Sequence, residues 1–209
     1  MRLNADFSNR VVIDTNAMPW ETSPMAGVHR RKLDRIGDEV ARATSLVKYD
    51  PNSRFAPHTH GGGEEFFVLE GTFSDEHGDY PAGTYVRNPI GTTHTPHSDE
   101  GCVIFVKLHQ FDETDTAQFF VDTNTAPFQP GAVPGLTVLP LHSHGGESCA
   151  LVRWAPGTVF SPHRHWGGEE ILVLDGVFSD ENGHYPKGTW LRSPHMSVHH
   201  PYSDTGCLI

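Results

Sequence analysis

The chain of 209 residues is 36% hydrophobic and carries a formal net charge of -11. That acidic balance argues against a phosphate-binding surface, so nucleic acid is not an expected partner. No run approaches the roughly 18 apolar residues of a membrane span, and a membrane is not expected either. Cys102, Cys149 and Cys207 form no CxxC pair and no disulfide framework, which points to reduced, mostly buried thiols. The opening MRLNADFSNRVVID lacks the basic flank and apolar core of a signal peptide, so the expected compartment is the cytoplasm.

Taken in chain order, the sequence is written twice. VVIDTNAMPW (residues 11–20) returns as FFVDTNTAPF (residues 119–128), an offset of 108 that also relates Gly27 to Gly135. PHTHGGGEEFFVLEGTFSDEHGDYPAGTYV (residues 57–86) then returns at residues 162–191, offset by 105. In the first copy Phe66 to Leu69 is a short apolar run between glycines, as a buried strand is, and Val103 to Val106 is another. SDEHGDYPAG places Asp, Gly and Pro where tight turns need them. The polar, acidic FDETDTAQ (residues 111–118) reads as a linker. Beyond it Ile171 to Leu174 and SDENGHYPKG repeat the strand and the turn. No stretch shows sustained 3.6-residue periodicity. The expected fold is all-β, with two tandem barrels over residues 1–112 and 113–209.

Each copy carries one constellation of metal-binding side chains. On a strand, residues i and i+2 project to one face, so His58 and His60 aim at one point. Gly61, Gly62 and Gly63 let the backbone turn and bring Glu64 back towards it, and His94 follows thirty residues later. His163, His165, Glu169 and His199 repeat the set at the same spacing. Imidazole and carboxylate suit a divalent first-row metal, and four ligands leave one or two positions open on an octahedral ion. One metal per barrel is expected, zinc or iron first, with manganese or nickel as alternatives. Glu65 and Glu170 are rival carboxylates, but neighbouring strand residues face opposite ways, so only one of each pair can ligate. Leu141-His142-Ser143-His144-Gly145-Gly146-Glu147 imitates the motif. Its counterpart, Arg31 to Asp38, has no histidines, and the string reads as an exposed turn.

These residues resemble the cupin superfamily. The family's first motif fits His58, His60, Glu64 and Gly71, although Pro51 to Phe55 lacks the opening glycine that Gly157 supplies in the second copy. The second motif is matched in full by Gly83, Pro89, Gly91 and His94; in the other copy Gly188, Pro194 and His199 fit, but Met196 replaces the glycine. Pro19-Trp20, Gly27-Val28, the GGEE centre and FSDE followed by YPxG are similar, more narrowly, to the ChrR-type cupins. The resemblance implies two cupin (double-stranded β-helix, jelly-roll) barrels, a bicupin. In that family the cupin is the C-terminal module of a zinc-bound anti-sigma factor that responds to singlet oxygen. The family's helical zinc domain, with its His-x3-Cys-x2-Cys motif, has no counterpart in this sequence.

Two function classes follow. The resemblance implies a regulatory, stress-sensing metalloprotein acting in transcription regulation. Related cupins imply the alternative, a non-haem Fe(II) dioxygenase cleaving a β-diketone or a hydroxyacetophenone-like substrate. The expected partners are a small-molecule ligand and a second copy of the chain. Bulky or charged side chains that recur in both copies are pocket candidates: Phe55 and Phe160, Arg87 and Arg192, Tyr49 and Trp154, His97 and Tyr202. Ordinary barrel packing is the simpler account of the aromatics. An arginine on an apolar strand needs a partner, either the ligating glutamate or an anionic ligand.

Overall fold

A computed structural model describes all 209 residues, Met1–Ile209. Apart from a short 3-10 turn at Thr15–Ala17, every regular element is a strand. The chain forms two compact units, one of Met1–Ala5 and Pro19–Ala126, the other of Asp6–Met18 and Pro127–Ile209.

In the first unit the main antiparallel sheet runs in the order Arg2–Leu3, Val28–Gly37, Ala41–Tyr49, Cys102–Leu108, Glu64–Asp75, Thr84–Asn88, Phe119–Asp122. A separate ribbon pairs His58–Thr59 with Thr93–His94. The expected strand at Phe66 to Leu69 is the middle of the longer Glu64–Asp75, whose partner Cys102–Leu108 contains Val103 to Val106. In the second unit Leu136–His144, Glu147–Trp154, Cys207–Leu208 and Asp175–Asp180 repeat the arrangement, and His163–Arg164 pairs with Val198–His199. The two cores correspond at most of their positions. Tyr49, Phe66, Val68, Phe73, Tyr80, Val86 and Cys102 of the first are Trp154, Ile171, Val173, Phe178, Tyr185, Leu191 and Cys207 of the second. All three cysteines are free thiols, and burial pushes Cys102 up to about 11.

The compact units depart from the contiguous repeats 1–112 and 113–209, because the first segments are exchanged. Phe119–Asp122, which opens the second repeat, pairs with Thr84–Asn88. Val11–Asp14, which opens the first, pairs with Thr189–Ser193. The DTN string after each strand makes the attachment specific. Thr123 Oγ1 donates to the Gly83 carbonyl at 2.6 Å and Asn124 Nδ2 to the Ala82 carbonyl at 2.9 Å. Thr15 and Asn16 do the same to Gly188 at 2.6 Å and Lys187 at 2.9 Å. Gly83 and Gly188 sit at φ +89 and +88, and a Cβ on either would collide with the asparagine. Glycine at this turn is thus required both by its backbone and by the clamp. The linker has a structural task of its own: Asp115 Oδ2 accepts from Arg87 Nη2 at 2.6 Å, and Phe111 lies 4.2 Å beneath the guanidinium.

Candidate metal centres

The first unit brings His58, His60, Glu64 and His94 together, with one ligand atom from each within 4.8 Å of all the others. His60 Nε2 lies 3.1 Å from His94 Nε2, and Glu64 Oε1 lies 3.4 and 3.5 Å from these nitrogens. Donors about 2.1 Å from one ion stand about 3.0–3.4 Å apart, so the set fits a single divalent metal.

Outer hydrogen bonds decide which nitrogen each ring presents. His58 Nδ1 donates to the Ala56 carbonyl at 3.1 Å, and His94 Nδ1 to Asp75 Oδ2 at 3.1 Å. The Thr92 hydroxyl gives its only proton to the Pro89 carbonyl at 2.7 Å, so it must accept from His60 Nδ1 at 2.9 Å. All three Nδ1 atoms therefore carry protons, and three Nε2 lone pairs converge. Burial, ahead of its charged neighbours, lowers the His60 pKa and favours the neutral ligand form. Two lone pairs 3.1 Å apart repel unless a cation lies between them, which is what a metal supplies.

The adjacent carboxylates separate as strand alternation requires. Asn88 Nδ2 donates to Glu64 Oε1 at 3.4 Å on the ligand side. Glu65 faces the other way and accepts from Tyr85 at 2.6 Å and Arg87 at 2.7 Å. Arg87 is thus paired with Glu65 and Asp115, not with the ligating glutamate. Arg192 is placed likewise, opposite Glu170 in register and 4.0 Å over the Phe7 ring. The phenylalanines do meet the centres: Phe55 stands 5.2 Å from the His58 ring and Phe160 4.7 Å from His163. Tyr49 and Trp154 lie one ring further back, packing edge-on against Phe73 and Phe178. His97 and Tyr202 pair with Ser74 and Ser179 on short strands, and neither belongs to a convergent group. His142 and His144 lie at the tip of a hairpin, rings parallel and 6.5 Å apart, outside either convergent group.

The glutamates give a separable prediction. Glu64→Gln should cost metal affinity while leaving the apo-protein melting temperature nearly unchanged. Glu65→Gln should do the reverse, because it strips a partner from a buried arginine, a change costing about 3–5 kcal/mol. Thermal melts and metal titrations of both variants check this.

The second centre is looser. His163, His165 and His199 converge, with Nε2 separations of 2.9 Å for His165–His199 and 3.2 Å for His199–His163. Glu169 stands at the edge of this group, 3.4 Å from His165 Nε2 and 3.7 Å from His199 Nε2. Burial, then the Asp180 charge, pushes Glu169 up to about 7, and burial lowers His199 to about 4. Ser197, at the position of Thr92, has a buried Oγ with no partner. The His165 side chain is 20% exposed where that of His60 is 3% exposed. In the first unit His109 and Phe111 cover Gly62 and Gly63; in the second, nothing lies within 4 Å of a Cβ placed on Gly167.

Met196 keeps the backbone of its glycine counterpart. It sits at φ +67 and Gly91 at +89, and their amides donate to the carbonyls of His165 at 2.8 Å and His60 at 2.9 Å. A left-handed methionine costs about 1–2 kcal/mol, so Met196→Gly should raise the melting temperature by a few degrees in a calorimetric scan.

Sequence reasoning missed Asp75 and Thr92 as the supports of His94 and His60. The signal for Asp75 was the FSDE repeat, whose aspartate reads equally well as a turn residue.

No helix is long and apolar enough to cross a membrane. The chain covers 96% of its length on a putative dioxygenase from Nostoc punctiforme PCC 73102, with 81% of that chain, 17% identity and a TM-score of 0.79. It is similar to the protein Ylba from E. coli over 97% of this chain and 90% of that one, at 16% identity and a TM-score of 0.69. It is similar to an oxalate decarboxylase variant from Bacillus subtilis over 96% and 76%, at 16% identity and a TM-score of 0.59. At such identities these likenesses show the fold alone. No curated protein matches the sequence. The model of the ChrR cupin-like domain matches twice, at residues 8–112 and 116–209, and the chain therefore belongs to that family as a double cupin.

Proposed function

We propose that the chain is a metal-dependent enzyme of the dioxygenase class, with the reaction in its first barrel. The observation that carries this reading is the convergence of three histidines and one glutamate beside an aromatic wall. Such a ligand set leaves coordination positions for a small molecule. Iron, the metal of this reading, would supply Lewis acidity and redox chemistry when bound. Phe55 and Phe73 line the histidines and exclude water from that side. Tyr49 behind them stays protonated, since burial and the Glu64 charge raise its pKa. The wall therefore presents no charge to a ligand. Small enolisable ketones, β-diketones or hydroxyacetophenones, match an apolar wall beside a cationic centre. The likeness to a putative dioxygenase supports the class and no substrate.

The family match supports a second reading, a zinc-holding sensory module related to the anti-sigma factors. Oxygen uptake by Fe(II)-loaded protein across a panel of diketones separates the two. Substrate-dependent uptake is the expected result. No uptake with any substrate, together with zinc as the metal found after purification, would favour the sensor.

A further inference from the structure

The internal repeat supplies its own control for what surrounds each centre. In the first barrel Asp75 supports His94: Oδ1 accepts from the His77 amide at 2.8 Å and from Tyr80 at 3.3 Å, leaving Oδ2 for His94 Nδ1 at 3.1 Å. In the second barrel Asp180 Oδ1 accepts from the Asn182 amide and from Tyr185, both at 2.7 Å. Its Oδ2 is taken by Arg10 Nη2 at 2.8 Å, and His199 Nδ1 lies 3.9 Å away, beyond a hydrogen bond. Arg10 also donates to Tyr185 at 2.7 Å and stacks on its ring, so it is held in place. The equivalent position of the first barrel is Gln118, because Val11 opposes Arg192 just as Phe119 opposes Arg87. Gln118 donates to Asn88 at 3.4 Å, leaving Asp75 to its histidine.

A carboxylate on the far nitrogen of a ligating imidazole orients the ring and raises its basicity, and losing such a support typically costs 10–100-fold in metal affinity. We infer that Arg10 is a positioning residue that withdraws Asp180 from His199 and makes the second centre an exchangeable site for a divalent first-row cation, beside a retained first one. The more distant Glu169 and the unpartnered Ser197 hydroxyl act in the same direction. The inference rests on metal binding at both centres and not on oxygenase activity.

The test uses the full chain, stripped with chelator and titrated with Co(II) or Zn(II) against a competing chelator. Wild type should show one tight and one weak phase, at least about tenfold apart, with His199→Ala abolishing the weak one. Arg10→Gln should tighten the weak phase about tenfold and leave the tight phase alone, while Arg10→Lys, which keeps the charge, should keep it weak. The reciprocal Gln118→Arg should weaken the tight phase, and it decides the matter if Arg10→Gln destabilises the second barrel. Two equal phases in wild type, or weak and tight phases indifferent to both exchanges, would overturn the role of Arg10. Absence of any bound metal would instead overturn the metal-binding reading on which it stands.

Discussion

His94→Ala should empty the first centre and leave the second occupied. His94 is 2% exposed, its Nε2 is 3.1 Å from that of His60, and its Nδ1 is tied to Asp75. Alanine removes a ligand outright, so the loss should exceed the roughly hundredfold cost of removing an outer-shell partner. The side chains of the second centre share no partner with it, and separate sites usually behave additively. Metal content measured at saturating metal, with no chelator present, should fall from two ions per chain towards one. Undiminished binding at the first centre would remove His94 from the ligand set.

The second large effect concerns the strand exchange. A fragment of residues 19–126 should fold and take up one metal, whereas a fragment of residues 1–112 should not. The longer boundary keeps Phe119–Asp122 on Thr84–Asn88, the Thr123 and Asn124 clamp, and Asp115 on Arg87. The shorter one leaves Arg87 without Asp115, and breaking a buried pair in this way costs about 3–5 kcal/mol. It also strips a sheet edge of its neighbour. A domain of this size has only about 5–15 kcal/mol to lose. Circular dichroism melts of the two fragments check this. A cooperative transition for 1–112 matching that of 19–126 would show that the exchanged segment is dispensable.

The two centres were legible in the sequence because a strand followed by a glycine turn dictates where the side chains point, and because the set recurs. His58 and His60 share a face by alternation, and the same alternation correctly separates Glu64 from Glu65. The pairing of the opening strands was not legible. Val11–Asp14 can add to either of two equivalent edges, Thr84–Asn88 or Thr189–Ser193, and a repeat shows that the edges match without showing which one is used. The arginines are the same kind of case. Sequence puts Arg87 next to Asn88 on an apolar strand, but only the register with Glu65 shows that it turns away from the metal side. Asp115 lay unseen for a different reason, since an acidic linker reads as solvated until Arg87 is found beneath it.

Elemental analysis of protein purified without a metal-affinity column tests the central claim most directly. Two convergent imidazole clusters per chain predict up to two equivalents of a divalent transition metal, with the first centre filled after mild chelation. A protein that is folded by circular dichroism yet holds no metal, and takes up none when Fe(II), Zn(II) or Mn(II) is added, would contradict the account.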